Sequence, residues 1–114
     1  MSALDHALQL HGQGRLDEAR QAYLDILSHA PEADDALHYL GILEHQSGRS
    51  EAGLDLLARA LDLAPPQAAR LNDLGNVLTE LERLDEAVSA FTVATELEPQ
   101  DANFNNNLGA VLLR

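Results

Sequence analysis

The chain contains no cysteine, no lysine and no tryptophan, and only two tyrosines and two phenylalanines among its 114 residues. Without cysteine there are no disulfides, thiolate nucleophiles or cysteine-based zinc sites. With so few aromatic rings the core has to be aliphatic, and leucine and alanine, both strong helix formers, dominate the composition. Positive charge is scarce as well: seven arginines stand against 19 acidic residues, a net charge of −12. Such a surface repels phosphate. It argues against nucleic acid and anionic membranes and suits basic or neutral protein partners. No apolar run reaches the ~18 residues that cross a bilayer. The opening Met1-Ser2-Ala3-Leu4-Asp5-His6 lacks the basic-then-apolar order of a signal peptide. A single cytoplasmic domain is the expectation at this length.

What the chain does have is repetition. Pro31, Pro65 and Pro99 are spaced by 34, and so are Gly41, Gly75 and Gly109, and Leu40, Leu74 and Leu108. The same register holds a small residue at Ala19, Gly53 and Ala87 and a large apolar one at Tyr23, Leu57 and Phe91. It also holds Arg15, Arg49 and Arg83, followed by acidic Asp17, Glu51 and Asp85. Chance does not align this many residue classes.

Within each unit the apolar spacing is helical. Leu37, Leu40, Gly41 and Leu43 lie on one helix face, and Leu54, Leu57, Ala58 and Leu61 on another. Between them Gly48 suits the left-handed residue after a helix end, and Ser50 is the expected N-cap of the next helix, with Glu51 near its positive end. Proline then stops each pair. The predicted helices cover about 2–13, 16–29, 33–47, 50–63, 67–81 and 84–97, with a last one from about 101 to the end. Gly41 and Gly53 are expected where two helices of a pair cross. Tyr23, Leu57 and Phe91 are expected between one pair and the next. Glu82 replaces the turn glycine of Gly14 and Gly48; a left-handed backbone there costs about 1 kcal/mol, so a looser turn is expected.

These residues resemble the tetratricopeptide repeat family, whose 34-residue unit carries small, small, large and proline residues at fixed positions. The resemblance spans the whole chain. It implies an all-α fold, a right-handed superhelical α-solenoid of antiparallel helix pairs. There would be three repeats, at about 1–33, 34–67 and 68–101, and a partial fourth at 102–114. The family's first-helix tryptophan is absent, and Leu10, Glu44, Leu78 and Leu112 stand where it usually has tyrosine. The chain stops where a second helix of a fourth unit is due, an ending that suits a longer protein and leaves an apolar end open to self-association.

The resemblance also implies a concave groove lined by the first helices, and with it a protein-interaction scaffold that binds a peptide or protein segment. The residues at groove positions are His38, Tyr39, Ile42 and His45 in the second unit, Asn72, Asp73 and Asn76 in the third, and Asn106 in the fourth. An asparagine amide both donates and accepts, so Asn72, Asn76 and Asn106 are expected to hold peptide backbone while His38, Ile42 and His45 read side chains. The Asn-Asp-Leu-Gly-Asn run is also similar to repeats of protein O-linked sugar transferases, with Asn107 a further comparable residue. A second reading is therefore the N-terminal recruiting module of a longer glycosyl- or sulfotransferase. One subclass of the family clamps a C-terminal carboxylate with lysine and arginine. Asn76 matches one clamp position, but without lysine that ligand is not expected.

No cofactor, metal or catalytic residue is expected. His38 and His45 lie about 10 Å apart along one helix, whereas a zinc ion needs ligands at about 2 Å. Asp17-Glu18 and Asp85-Glu86 open second helices, where acid favours the helix dipole.

Overall fold

A computed structural model describes residues 1–114, which form seven α-helices and no strand. They are α1 (Ala3–Gly12), α2 (Leu16–His29), α3 (Asp34–Gln46), α4 (Ser50–Leu63), α5 (Ala68–Glu80), α6 (Leu84–Leu97) and α7 (Ala102–Leu112). Every predicted helix is present, with ends that shift by no more than two residues. No helix is long and apolar enough to cross a membrane.

The helix pairs α1–α2, α3–α4 and α5–α6 close through the same turn. Gly14, Gly48 and Glu82 adopt φ of 75°, 87° and 59°. In each turn that residue's N–H bonds the carbonyl three residues back, and the next N–H bonds the carbonyl five back, at 2.8–3.0 Å. The looser turn expected at Glu82 is therefore corrected: the two backbone bonds hold a glutamate in the left-handed region. The expected cap at Ser50 is corrected too. α4 already begins at Ser50 and its cap position is Arg49; the Ser50 hydroxyl lies 2.9 Å from His45 Nδ1. True side-chain caps occur at Ser2, which forms a reciprocal box with Asp5, and at Asp101, which accepts from the Phe104 N–H.

The chain divides into two compact units, Met1–Ala64 (α1 to α4) and Pro65–Arg114 (α5 to α7). The division falls at the proline that follows α4. In the first unit Ala7, Leu10, Ala19, Tyr23, Leu40 and Leu43 form one buried cluster, so Tyr23 on α2 packs onto the next pair, as expected. Leu57 lies against Gly41 of its own pair. The α3–α4 crossing leaves no space for side chains: a Cβ on Gly41 would stand 2.9 Å from the Gly53 carbonyl oxygen. In the second unit a Cβ on Gly75 would meet the Phe91 ring at 2.5 Å, so Phe91 too fills its own pair. Ala68, Ala94 and Phe104 pack with Leu71 beneath α7.

Candidate functional site

The first helices of the pairs are α1, α3, α5 and α7, and the candidate residues lie on them. In the first unit α3 packs against α1, α2 and α4, so it buries a wider arc than a helix with one neighbour. That arc includes His38, which is 2% exposed, with its ring edge against Tyr39 at a centroid distance of 5.3 Å. The expectation that His38 reads a ligand side chain is corrected accordingly. Tyr39, Ile42 and His45 are half-buried, and Tyr39 packs onto the unit's core.

Two polar networks tie this unit together. His11 lies with Nε2 2.7 Å from Gln46 Oε1 and Nδ1 2.8 Å from the Tyr23 hydroxyl. Gln46 Oε1 can only accept, so Nε2 donates to it, and in the neutral ring Nδ1 accepts from Tyr23. Burial, with a smaller contribution from Tyr39, pushes the Tyr23 hydroxyl up to about 12. The second network centres on Glu44, a buried carboxylate that accepts from Arg49 Nε at 2.9 Å and Arg20 Nε at 2.8 Å. The Arg49 hydrogen bonds hold its pKa below the ordinary carboxylate value; burial opposes them and Arg20 reinforces them. Glu44 stands where the family usually has tyrosine, and that departure was the sequence signal for this network.

In the second unit Asn107 Nδ2 donates to Asn72 Oδ1 at 2.9 Å. Asn72 and Asn107 are 35 residues apart, as are His11 and Gln46. Each unit thus joins successive first helices by one side-chain bond at the repeat length plus one. That offset is the signal that would have singled out Asn107 as the partner of Asn72. Asn76 and Asn106 are exposed, and Asp73 is half-buried. Asn76, Thr79, Asn107, Ala110, Val111 and Arg114 surround a cleft of about 140 Å³ that reaches Phe91. Thr79 is committed to the Gly75 carbonyl at 2.7 Å, and Arg114 pairs with Glu82. The cleft therefore offers amide donors and acceptors over an apolar floor. Asn106 is not among its lining residues. Thr79 falls at a groove position of the third repeat, whereas Arg114 was not among the expected groove residues.

A family model described as tetratricopeptide repeat matches residues 4–68, and a further model described as TPR repeat matches residues 75–114. Among curated proteins the chain is 34% identical over 107 residues to the Protein CTR9 homolog of Arabidopsis thaliana, covering 92% of this chain and 10% of that protein. Among solved structures it superposes on an O-GlcNAc transferase mutant of Thermobaculum terrenum with a TM-score of 0.88 and 30% identity, covering 96% of this chain and 21% of that one. It also superposes on the first TPR of Spaghetti (RPAP3) bound to an HSP90 peptide, with a TM-score of 0.88 and 18% identity, covering 97% of this chain and 88% of that one. The chain thus spans about a tenth of the curated relative's length.

Proposed function

Since this chain belongs to the tetratricopeptide repeat family, whose repeats generally mediate protein–protein interaction, we propose that it binds an extended peptide or protein segment along its first helices. The observation that carries this reading is the cleft beside Asn76. An exposed amide beside an apolar floor can hydrogen-bond a peptide backbone while a side chain of the ligand enters toward Phe91. Asn72 and Asn107 are already bonded to each other, so they position one another, and Asn76 is left as the principal contact. Tyr39, Ile42 and His45 are proposed to add apolar contact on the first unit, and Asn106 a polar one on α7. The peptide-bound relative shows the same fold, and at 18% identity it supports no particular ligand. The absence of lysine and the net charge of −12 favour a basic or neutral segment over an acidic tail.

The test is selection of peptides from a random displayed library on the immobilised chain, followed by titration calorimetry and NMR shift mapping. Shifts on α5 and α7, with at least tenfold weaker binding for Asn76→Ala, support the reading. Binding that maps to α2, α4 or α6, or that Asn76→Ala leaves intact, overturns it.

A second reading is that the array recruits substrate for a longer transferase. Its support is the 30% identity to the O-GlcNAc transferase structure over nearly the whole chain. It rests on likeness of fold and sequence to that one structure, of which the chain covers 21%.

A further inference from the structure

The cleft between α5 and α7 has a counterpart in the first unit, and the two differ in what fills them. Thr79, Phe91, Ala110 and Arg114 stand two 34-residue repeats after His11, Tyr23, Ile42 and Gln46. In the first unit the His11 ring reaches from α1 to α3, 2.8 Å from the Tyr23 hydroxyl and 2.7 Å from Gln46 Oε1. The second unit has no such bridge. Threonine replaces the imidazole, and its hydroxyl is spent on the Gly75 carbonyl. Phenylalanine lacks the tyrosine hydroxyl, and Arg114 pairs with Glu82 instead. Alanine in place of isoleucine removes further bulk. The space of about 140 Å³ is bounded by α5, α6 and α7, all three present, so side-chain size is what makes it.

Size and charge decide what this space accepts. An apolar cavity of about 150 Å³ takes a benzene molecule. A cleft of about 140 Å³, with Phe91, Ala110 and Val111 on its apolar side, therefore holds one side chain of leucine or methionine size and excludes an indole. An ammonium would stand beside the Arg114 guanidinium, and a carboxylate would find that guanidinium already paired with Glu82. The asparagines at the rim are uncharged: Asn76 is exposed, and Asn107 is held by its bond to Asn72. We propose that the cleft anchors the bound segment through one uncharged aliphatic side chain, that Thr79 and Ala110 set its size, and that Asn76 holds the peptide group beside it. The first unit, with His11 across the corresponding place, adds contact without a second anchor. The proposal rests on the binding of an extended segment along the first helices, and it adds the residue that fixes the segment's register.

The probes are peptides selected from a random displayed library on the immobilised chain, titrated by calorimetry against the chain and against Ala110→Ile. That substitution fills the cleft from an exposed position of α7, and Thr79→His fills it from α5; thermal melts check that each variant folds. The selected peptides should share one leucine, isoleucine or methionine, with NOEs from its methyl groups to the Phe91 ring. Replacing it by alanine, lysine or tryptophan should weaken binding at least tenfold. Ala110→Ile and Thr79→His should weaken the parent peptide at least tenfold and the alanine-substituted peptide little, because one contact cannot be lost twice. Peptides that shift α5 and α7 resonances and lose affinity for Asn76→Ala, yet share no aliphatic residue or bind both filled variants unchanged, overturn the anchor and leave segment binding standing. Losses that multiply, with the alanine-substituted peptide weakened as much as the parent, also overturn it. If no selected peptide maps to α5 and α7, segment binding there fails and the anchor fails with it.

Discussion

A Cβ placed on Gly53 would stand 2.6 Å from the carbonyl oxygen of Gly41, so the α3 and α4 backbones are as close as helices come. That oxygen is held in its helix and cannot rotate aside. Gly53→Ala should cost about 1–3 kcal/mol in overpacking, offset in part by about 1 kcal/mol of helix propensity. Urea denaturation should show a net loss. Gly109→Ala in the dilute chain has propensity gain and no clash, and should leave stability equal or higher. A neutral Gly53→Ala would mean the two helices sit farther apart.

Glu82 holds a left-handed φ of 59° that its counterparts Gly14 and Gly48 hold as glycines. Glu82→Gly should therefore raise stability by up to about 1 kcal/mol, less whatever the exposed pair with Arg114 contributes. Gly48→Ala should lower it by a similar amount. Thermal melts of the two variants should move in opposite directions.

Acid should loosen the first unit through Glu44. Its folded pKa lies below the ordinary value, so its stabilisation is complete above the unfolded-state value of about 4.3 and is lost as pH falls through the folded one. Glu44→Gln should destabilise at neutral pH by about 1–2 kcal/mol and flatten the acid limb. Both tyrosines, Tyr23 and Tyr39, lie in Met1–Ala64, so tyrosine fluorescence reports this unit alone.

At the alkaline end the sign reverses. The Tyr23 hydroxyl titrates at about 12 in the fold against 10.0 ordinarily, so its contribution is present below pH 10 and lost as pH rises toward 12. Tyr23→Phe should remove this dependence and cost about 0.5–1.5 kcal/mol at neutral pH through the lost bond to His11. Circular dichroism melts from neutral to alkaline pH separate the two effects. An alkaline limb that persists in Tyr23→Phe would assign it to another group.

The fold was legible because it is written in spacing. Proline stops, turn glycines and small residues at 34-residue intervals bound every helix to within two residues. The side-chain roles were less so, because they depend on what each helix packs against. His38 has the same register as Asn72, yet α3 is enclosed by three helices and buries it. Ser50 looked like a cap, but the helix starts on it and its hydroxyl faces His45. The bonds Asn107–Asn72 and Gln46–His11 were not legible because they run at 35 rather than 34, one residue outside the register that the repeat teaches. Glu82 was the one place where an expected penalty was taken at face value; two backbone hydrogen bonds outweigh it.

The three turns at residues 14, 48 and 82 share one backbone conformation and the same pair of closing bonds. They are interchangeable splice points. A gene cut at any two of them releases a cassette one or two repeat lengths long, beginning with the second helix of one pair and ending with the first helix of a later one. Its ends already fit the next turn, so arrays of chosen length can be assembled from this chain without inventing a junction.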